Sequence, residues 1–193
     1  MSAPTCPPRL EDILDPLRPG DIVTHCCTPK TNRPITSKGQ LRDCMIAAPA
    51  RGVIMDVGHG AGSFGFDIGR VMLELGFAPD VISSDVHLFS VDGPAFDVLV
   101  TMSKFLCLVL PLVDVIRAAT AAPAAAMRRP ELGTLAPGAI GDAVLLEIRR
   151  GPVVYRDAVG GELRDDRRLV PRGIVVAGKW WDEGRAPALS GRG

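Results

Sequence analysis

Three short apolar runs, each closed by a histidine or by Asp-x-His, constrain this chain more than any other feature. They are GDIVTHC (20–26), GVIMDVGHG (52–60) and DVISSDVH (80–87). Each is rich in β-branched residues and has the length of a buried strand. The chain's three histidines, His25, His59 and His87, all stand at the downstream ends of these runs. Structural histidines have no reason to prefer that end of a strand. In parallel α/β sheets and barrels, it is where function collects.

The segments between the runs extend the pattern. Helices are expected over 41–51 and 67–75, the second amphipathic and stopped by Gly76, with strands over 21–25, 53–57 and 81–84. Strand, helix, strand, helix, strand predicts βα units in a parallel sheet. Upstream, Leu10, Ile13, Leu14 and Leu17 fall at helical spacing before Pro19-Gly20. Downstream, helices are expected over 98–110 and 111–122, then an Ala-rich one ending near Arg128. From Gly133 the pattern changes to turns and short β runs such as 152–155 and 174–176, a small all-β layer.

Charge excludes some partners. Lys plus Arg number 22 and Asp plus Glu 22, so no net field recruits nucleic acid or anionic lipid. Aromatic residues make up 5%, too few for base-stacking platforms. The five cysteines are odd in number and show no CxxC spacing, which fits reduced thiols in a cytoplasmic protein. The N-terminus lacks a signal-peptide pattern, and the most apolar stretch, 105–115, is interrupted by Pro111 and Asp114. A soluble, cytoplasmic protein acting on a small-molecule substrate is the expectation, with no nucleic-acid or membrane partner.

His25, His59 and Asp85 occupy the three strand ends. Imidazole and carboxylate are the ligands a catalytic zinc-type ion takes, with an open position for water. A carboxylate beside such an ion can also take a proton from water. His87 would share the face of Asp85 if the strand ran that far, as a substrate contact, a support behind the ligands, or a structural residue. The glycines of GHGAGSFGF (58–66) are neither a P-loop nor GxGxxG; they let His59 and the backbone at Gly60 approach a ligand closely. Ser63 has no base fixed by spacing. Cys26 points away from its neighbour His25 on a strand. Lys104 faces either the site or solvent.

At LRPGDIVTHC, GVIMDVGHGAGSF, ISSDVH, TMSKFL and GTLAPGAIGD, in that order, the sequence resembles the amidohydrolase superfamily, closest to its amidohydrolase/deacetylase, dihydroorotase-like branch. The likeness runs over most of 9–178. It implies a (β/α)8 barrel flanked by a small β-sandwich, and metal-assisted hydrolysis of an amide, cyclic amide or ester bond. By this resemblance His25 matches the metal-ligand histidine ending barrel strand six. Asp85 matches the strand-eight aspartate that holds metal and serves as base. His59 matches a strand-seven position facing substrate or water, with Gly60 and His87 on the substrate side. The implied cofactor is a divalent metal, zinc by first expectation, one or two ions in the intact site.

The family's HxH, bridging lysine and strand-five histidine have no counterpart here. A full barrel takes roughly 250 residues, so the expectation is an α/β C-terminal portion. It divides into three βα strands within 1–132, a sandwich-like segment at 133–185 and a disordered tail at 186–193. Such an open sheet exposes edges and apolar surface, predicting a homo-oligomer or a partner in the form of a separately encoded N-terminal half. The alternative to a hydrolase is a non-catalytic truncated fragment or half-enzyme module. Upstream DNA with an in-frame HxH, lysine and histidine would point to a misassigned start codon.

Overall fold

The computed structural model describes residues 8–181. Helix α1 (Leu10–Leu14) leads into β1 (Ile22–Val23); α2 (Asp43–Ala50) leads into β2 (Ile54–Met55); α3 (Phe66–Glu74) follows the Gly-rich loop. β1 and β2 pair in parallel, with Ile22 opposite Ile54 and Val23 opposite Met55. The expected third strand reduces to one parallel bridge between Asp56 and Val81. Its backbone nevertheless tracks β2 further: Val57 N–H donates to Val81 O, His59 N–H to Ser83 O at 3.2 Å and Gly60 N–H to Ser84 O at 3.0 Å. The parallel βα arrangement expected from the three runs is therefore present, in shorter strands.

Val53, Met55 and Val57 turn one face of this sheet into the core, with Leu14, Met45, Ala48 and Met72 of the flanking helices and Phe64 of the Gly-rich loop. The opposite face carries Ile22, 49% exposed, with Thr24 and Asp56. Alternation along a strand separates the two faces.

After residue 85 the chain runs through a loop into α4 (Val98–Cys107), α5 (Leu112–Ala119) and α6 (Ala121–Ala126). Asp97 caps α4 by accepting from Val100 N–H at 2.7 Å, and Thr101 through Cys107 are buried. The all-β tail differs from expectation in form. It is one antiparallel sheet, ordered β3-β4-β5, of β3 (Ala143–Arg156), β4 (Glu162–Val176) and β5 (Lys179–Trp181). Two register shifts, between Leu145 and Leu146 and between Arg150 and Val153, absorb the residues that break the alternation. Among the described residues no second sheet faces it, so the sandwich expected at 133–185 is a three-stranded ribbon there; the tail expected at 186–193 lies outside the described residues.

The ribbon packs on α4. Leu169 N–H donates to Ser103 Oγ at 2.9 Å, and Tyr155, Leu163 and Leu169 join the same buried cluster as Phe105 and Met55. Its β3–β4 turn docks on the Gly-rich loop. There Asp157 Oδ2 accepts from Phe66 N–H at 2.9 Å, while Oδ1 accepts from Val159 and Gly161 N–H at 2.9 and 2.7 Å. Gly65, the N-cap residue of α3, has no side chain to cap with, so Asp157 fills that role from the ribbon. Among the described residues no helix is long and apolar enough to cross a membrane.

Candidate functional site

The strand ends gather around the Gly58-His59-Gly60 segment. His25 leaves β1 with φ 66, in the left-handed region that side chains seldom adopt, and Cys26 N–H returns to the ladder on Asp56 O. That bend lays the imidazole on Gly58. His25 Nδ1 donates to Gly58 O at 2.7 Å, which leaves Nε2 as the nitrogen with a free lone pair. A Cβ on Gly58 would lie 2.7 Å from His25 Nδ1 and would collide with Thr24 Oγ1.

Asp85 mirrors this arrangement on the other side. It too has positive φ, 45, and its carboxylate stands against Gly60, where a Cβ would lie 2.7 Å from Asp85 Oδ2. The side chain is exposed. Two of the six non-glycine residues with positive φ among those described are thus His25 and Asp85. Strain of this kind, of order 1–3 kcal/mol each, persists where surrounding structure enforces it, and it clusters at functional sites.

His59 goes elsewhere. Its ring is fully buried and stacks on Phe64 at 4.7 Å between centroids. Nδ1 donates to Gly60 O at 2.9 Å, and Nε2 accepts from Lys104 Nζ at 2.8 Å. Both ring nitrogens are used inside the protein, so the substrate-facing role expected for this residue has no free nitrogen to perform it. The sequence left Lys104 open between site and solvent; it faces neither. It is 1% exposed and also donates to Pro94 O and Arg156 O at 2.7 and 2.8 Å. Burial pushes Lys104 down to about 7, opposed by the nearby Asp157 carboxylate. Burial and then the Lys104 charge push His59 down to about 4.

His87 does not share the face of Asp85. The left-handed turn at Asp85 ends the extended run, and His87 opens a turn in which its carbonyl accepts from Ser90 N–H at 2.8 Å. Its exposed ring packs edge-on to Phe89. At Gly60 the group that approaches closely is the Asp85 carboxylate.

Sequence reasoning passed over three residues beneath the site. Asp56 Oδ2 accepts from Thr24 Oγ1 at 2.7 Å and from Ser83 Oγ at 2.9 Å, and Ser83 Oγ accepts from Gly58 N–H at 3.1 Å. The available signal is position: all three lie at strand ends, one to three residues before a motif histidine or aspartate.

A divalent metal fits the donors here in part. An imidazole that donates one N–H to a backbone carbonyl, as His25 does, has the hydrogen bonding common among metal-ligating histidines. Yet among the described residues no three His, Cys, Asp or Glu side chains gather as a metal-binding group.

No family model matches the chain. The chain is 33% identical over 171 residues to a deacetylase of Brucella anthropi, covering 88% of this chain and 42% of that protein. It is 32% identical to a deacetylase of Agrobacterium fabrum over the same shares, and 28% identical to a deacetylase of Enterococcus faecalis over 92% of this chain and 49% of that protein. It thus spans less than half the length of these curated relatives. A crystal structure of an adenine deaminase superposes with a TM-score of 0.88 at 28% identity, over 93% of this chain and 49% of that one. For a crystal structure of a dihydroorotase the TM-score is 0.76 at 30% identity, over 88% and 46%. Relatives named as deacetylases, beside structures of a deaminase and a dihydroorotase, support kinship with the amidohydrolase superfamily.

Proposed function

We propose that this chain carries part of the active site of a metal-dependent hydrolase of amide bonds, of the deacetylase kind. The observation that supports it best is the matching placement of His25 against Gly58 and Asp85 against Gly60. Both are strained strand-end residues, flanking Gly58-His59-Gly60, one with a bare Nε2 and the other with an exposed carboxylate. In this reading His25 Nε2 and the Asp85 carboxylate hold a divalent ion, zinc by first choice. When bound, such an ion supplies Lewis acidity that lets water act near neutral pH. Asp85 then takes a proton on its carboxylate as general base. Gly58 and Gly60 keep the two ligands in place, and His59 anchors the segment between them from below.

A second reading, a half-enzyme module that needs another polypeptide, draws on the two-donor set and on the outer edge of β1, beside which Ile22 is half exposed. A strand bearing the remaining donors would pair at that edge.

Zinc and manganese titrations of the full chain, with hydrolysis of a panel of N-acyl amino acids and esters, test both. The chain is assayed alone and with a companion polypeptide carrying an HxH motif, a lysine and a histidine. Metal binding that His25→Ala or Asp85→Asn weakens at least tenfold supports the first reading. Turnover restricted to the mixture supports the second. Absence of metal binding and turnover in both arms rejects the proposal.

A further inference from the structure

Beneath His25 a hydrogen-bonded path crosses all three strand ends. The Gly58–His59 peptide is pinned at one end, where His59 N–H donates to Ser83 O at 3.2 Å. Because a trans peptide holds its N–H and C=O in opposite directions, Gly58 O then points the other way, to His25 Nδ1 at 2.7 Å. The preceding peptide is held by Gly58 N–H donating to Ser83 Oγ at 3.1 Å. A hydroxyl carries only one proton, and the proton of Ser83 goes to Asp56 Oδ2 at 2.9 Å, so its lone pairs face Gly58. The same Oδ2 takes the hydroxyl proton of Thr24, the residue before His25, at 2.7 Å. Asp56 is 9% exposed, and its Oδ1 has no partner among the described residues.

A buried carboxylate that leaves one oxygen unmatched and spends the other on two hydroxyls is costly as plain structure. Its effect is directional. It turns Ser83 into an acceptor for Gly58, fixes the backbone ahead of His25, and leaves the Gly58 carbonyl as the acceptor that His25 must satisfy. We infer that Asp56 is a positioning residue, acting through Thr24, Ser83 and Gly58 to hold His25 in the tautomer with Nδ1 protonated and Nε2 bare. The inference rests on the reading that His25 presents Nε2 to a metal, but its test does not.

The test uses the full chain labelled with 15N-histidine, in solution or by magic-angle-spinning NMR, at pH 8, where neutral imidazoles report their tautomer through the ring-nitrogen shifts. Wild type is expected to show His25 with Nδ1 protonated. Asp56→Asn, whose amide oxygen can still accept both hydroxyls, is expected to keep that form. Asp56→Ala and, as the milder change, Ser83→Ala are expected to shift the tautomer ratio at least fivefold toward Nε2–H. Circular dichroism accompanies each variant, so that if Asp56→Ala is unfolded the Ser83→Ala and Asp56→Asn pair decides. A wild-type His25 protonated on Nε2, or an unchanged ratio in folded Asp56→Ala or Ser83→Ala, overturns the inference. Zinc affinity is measured in parallel and is expected to fall 10–100-fold with the shifted tautomer. If wild type binds no zinc while the tautomer responds, the positioning role stands and the metal reading falls.

Discussion

Lys104 Nζ stands 2.8 Å from His59 Nε2, and both side chains are buried. Two backbone carbonyls, Pro94 O and Arg156 O, complete three acceptors for the three ammonium protons. The pair bolts the Gly-rich loop to α4 and to the end of β3, and it keeps His59 neutral by burial and by charge.

That neutrality predicts acid lability. His59 titrates near 4 when folded against 6.5 when free. Between those values the unfolded chain takes a proton that the folded one refuses, so stability falls as pH drops from about 6.5 to 4. The loss attributable to His59 is on the order of 3 kcal/mol. Urea denaturation across pH 4–7 measures it. His59→Gln, which retains an acceptor for Lys104, is expected to flatten the slope over that window.

Lys104 predicts a slope of the same sign at higher pH. Its folded value of about 7 lies below the ordinary 10.5. The unfolded chain therefore holds the extra proton between these values, and stability rises with pH across them. Lys104→Met should remove that rise, read from melting temperatures between pH 7 and 10.

Much of this was legible in the residues, and the failures have physical causes. His25 and Asp85 were placed by the strand-end rule because their backbone alone brings them to the edge. His59 obeys the same rule but is carried inward by Lys104, 45 residues away, which Arg156 O holds in turn; periodicity holds no trace of such contacts. The sequence predicts short strands in the ribbon because Gly151-Pro152 and Pro171 interrupt alternation. The register shifts carry the ladder past them from Ala143 to Arg156 and from Glu162 to Val176.

Gly58→Ala should dislodge His25 without unfolding the chain. The position has φ 48, and the added methyl meets Thr24 Oγ1 and lies 2.7 Å from His25 Nδ1. The backbone cost is about 1–2 kcal/mol. We expect retained circular dichroism, a modest loss in melting temperature and at least tenfold weaker zinc binding by titration calorimetry.

Asp157→Ala should loosen the clasp between ribbon and loop. Phe66, Val159 and Gly161 N–H lose their acceptor, a cost of about 2 kcal/mol with the first in a buried place. Asp157→Asn should recover only part of it, because its amide nitrogen cannot accept. Faster hydrogen exchange at the Phe66 amide is the local signature to measure.

The clasp also sets an order of events during synthesis. Phe66 and Asp157 are separated by 91 residues, which at ribosomal rates is roughly 5 to 18 s of elongation. For that interval α3 stands on a loop that lacks the cap Asp157 supplies. Until the β3–β4 turn has left the ribosome, the Phe66 N–H has no Asp157 carboxylate to accept it, so a nascent chain halted before that turn emerges holds α3 without its cap.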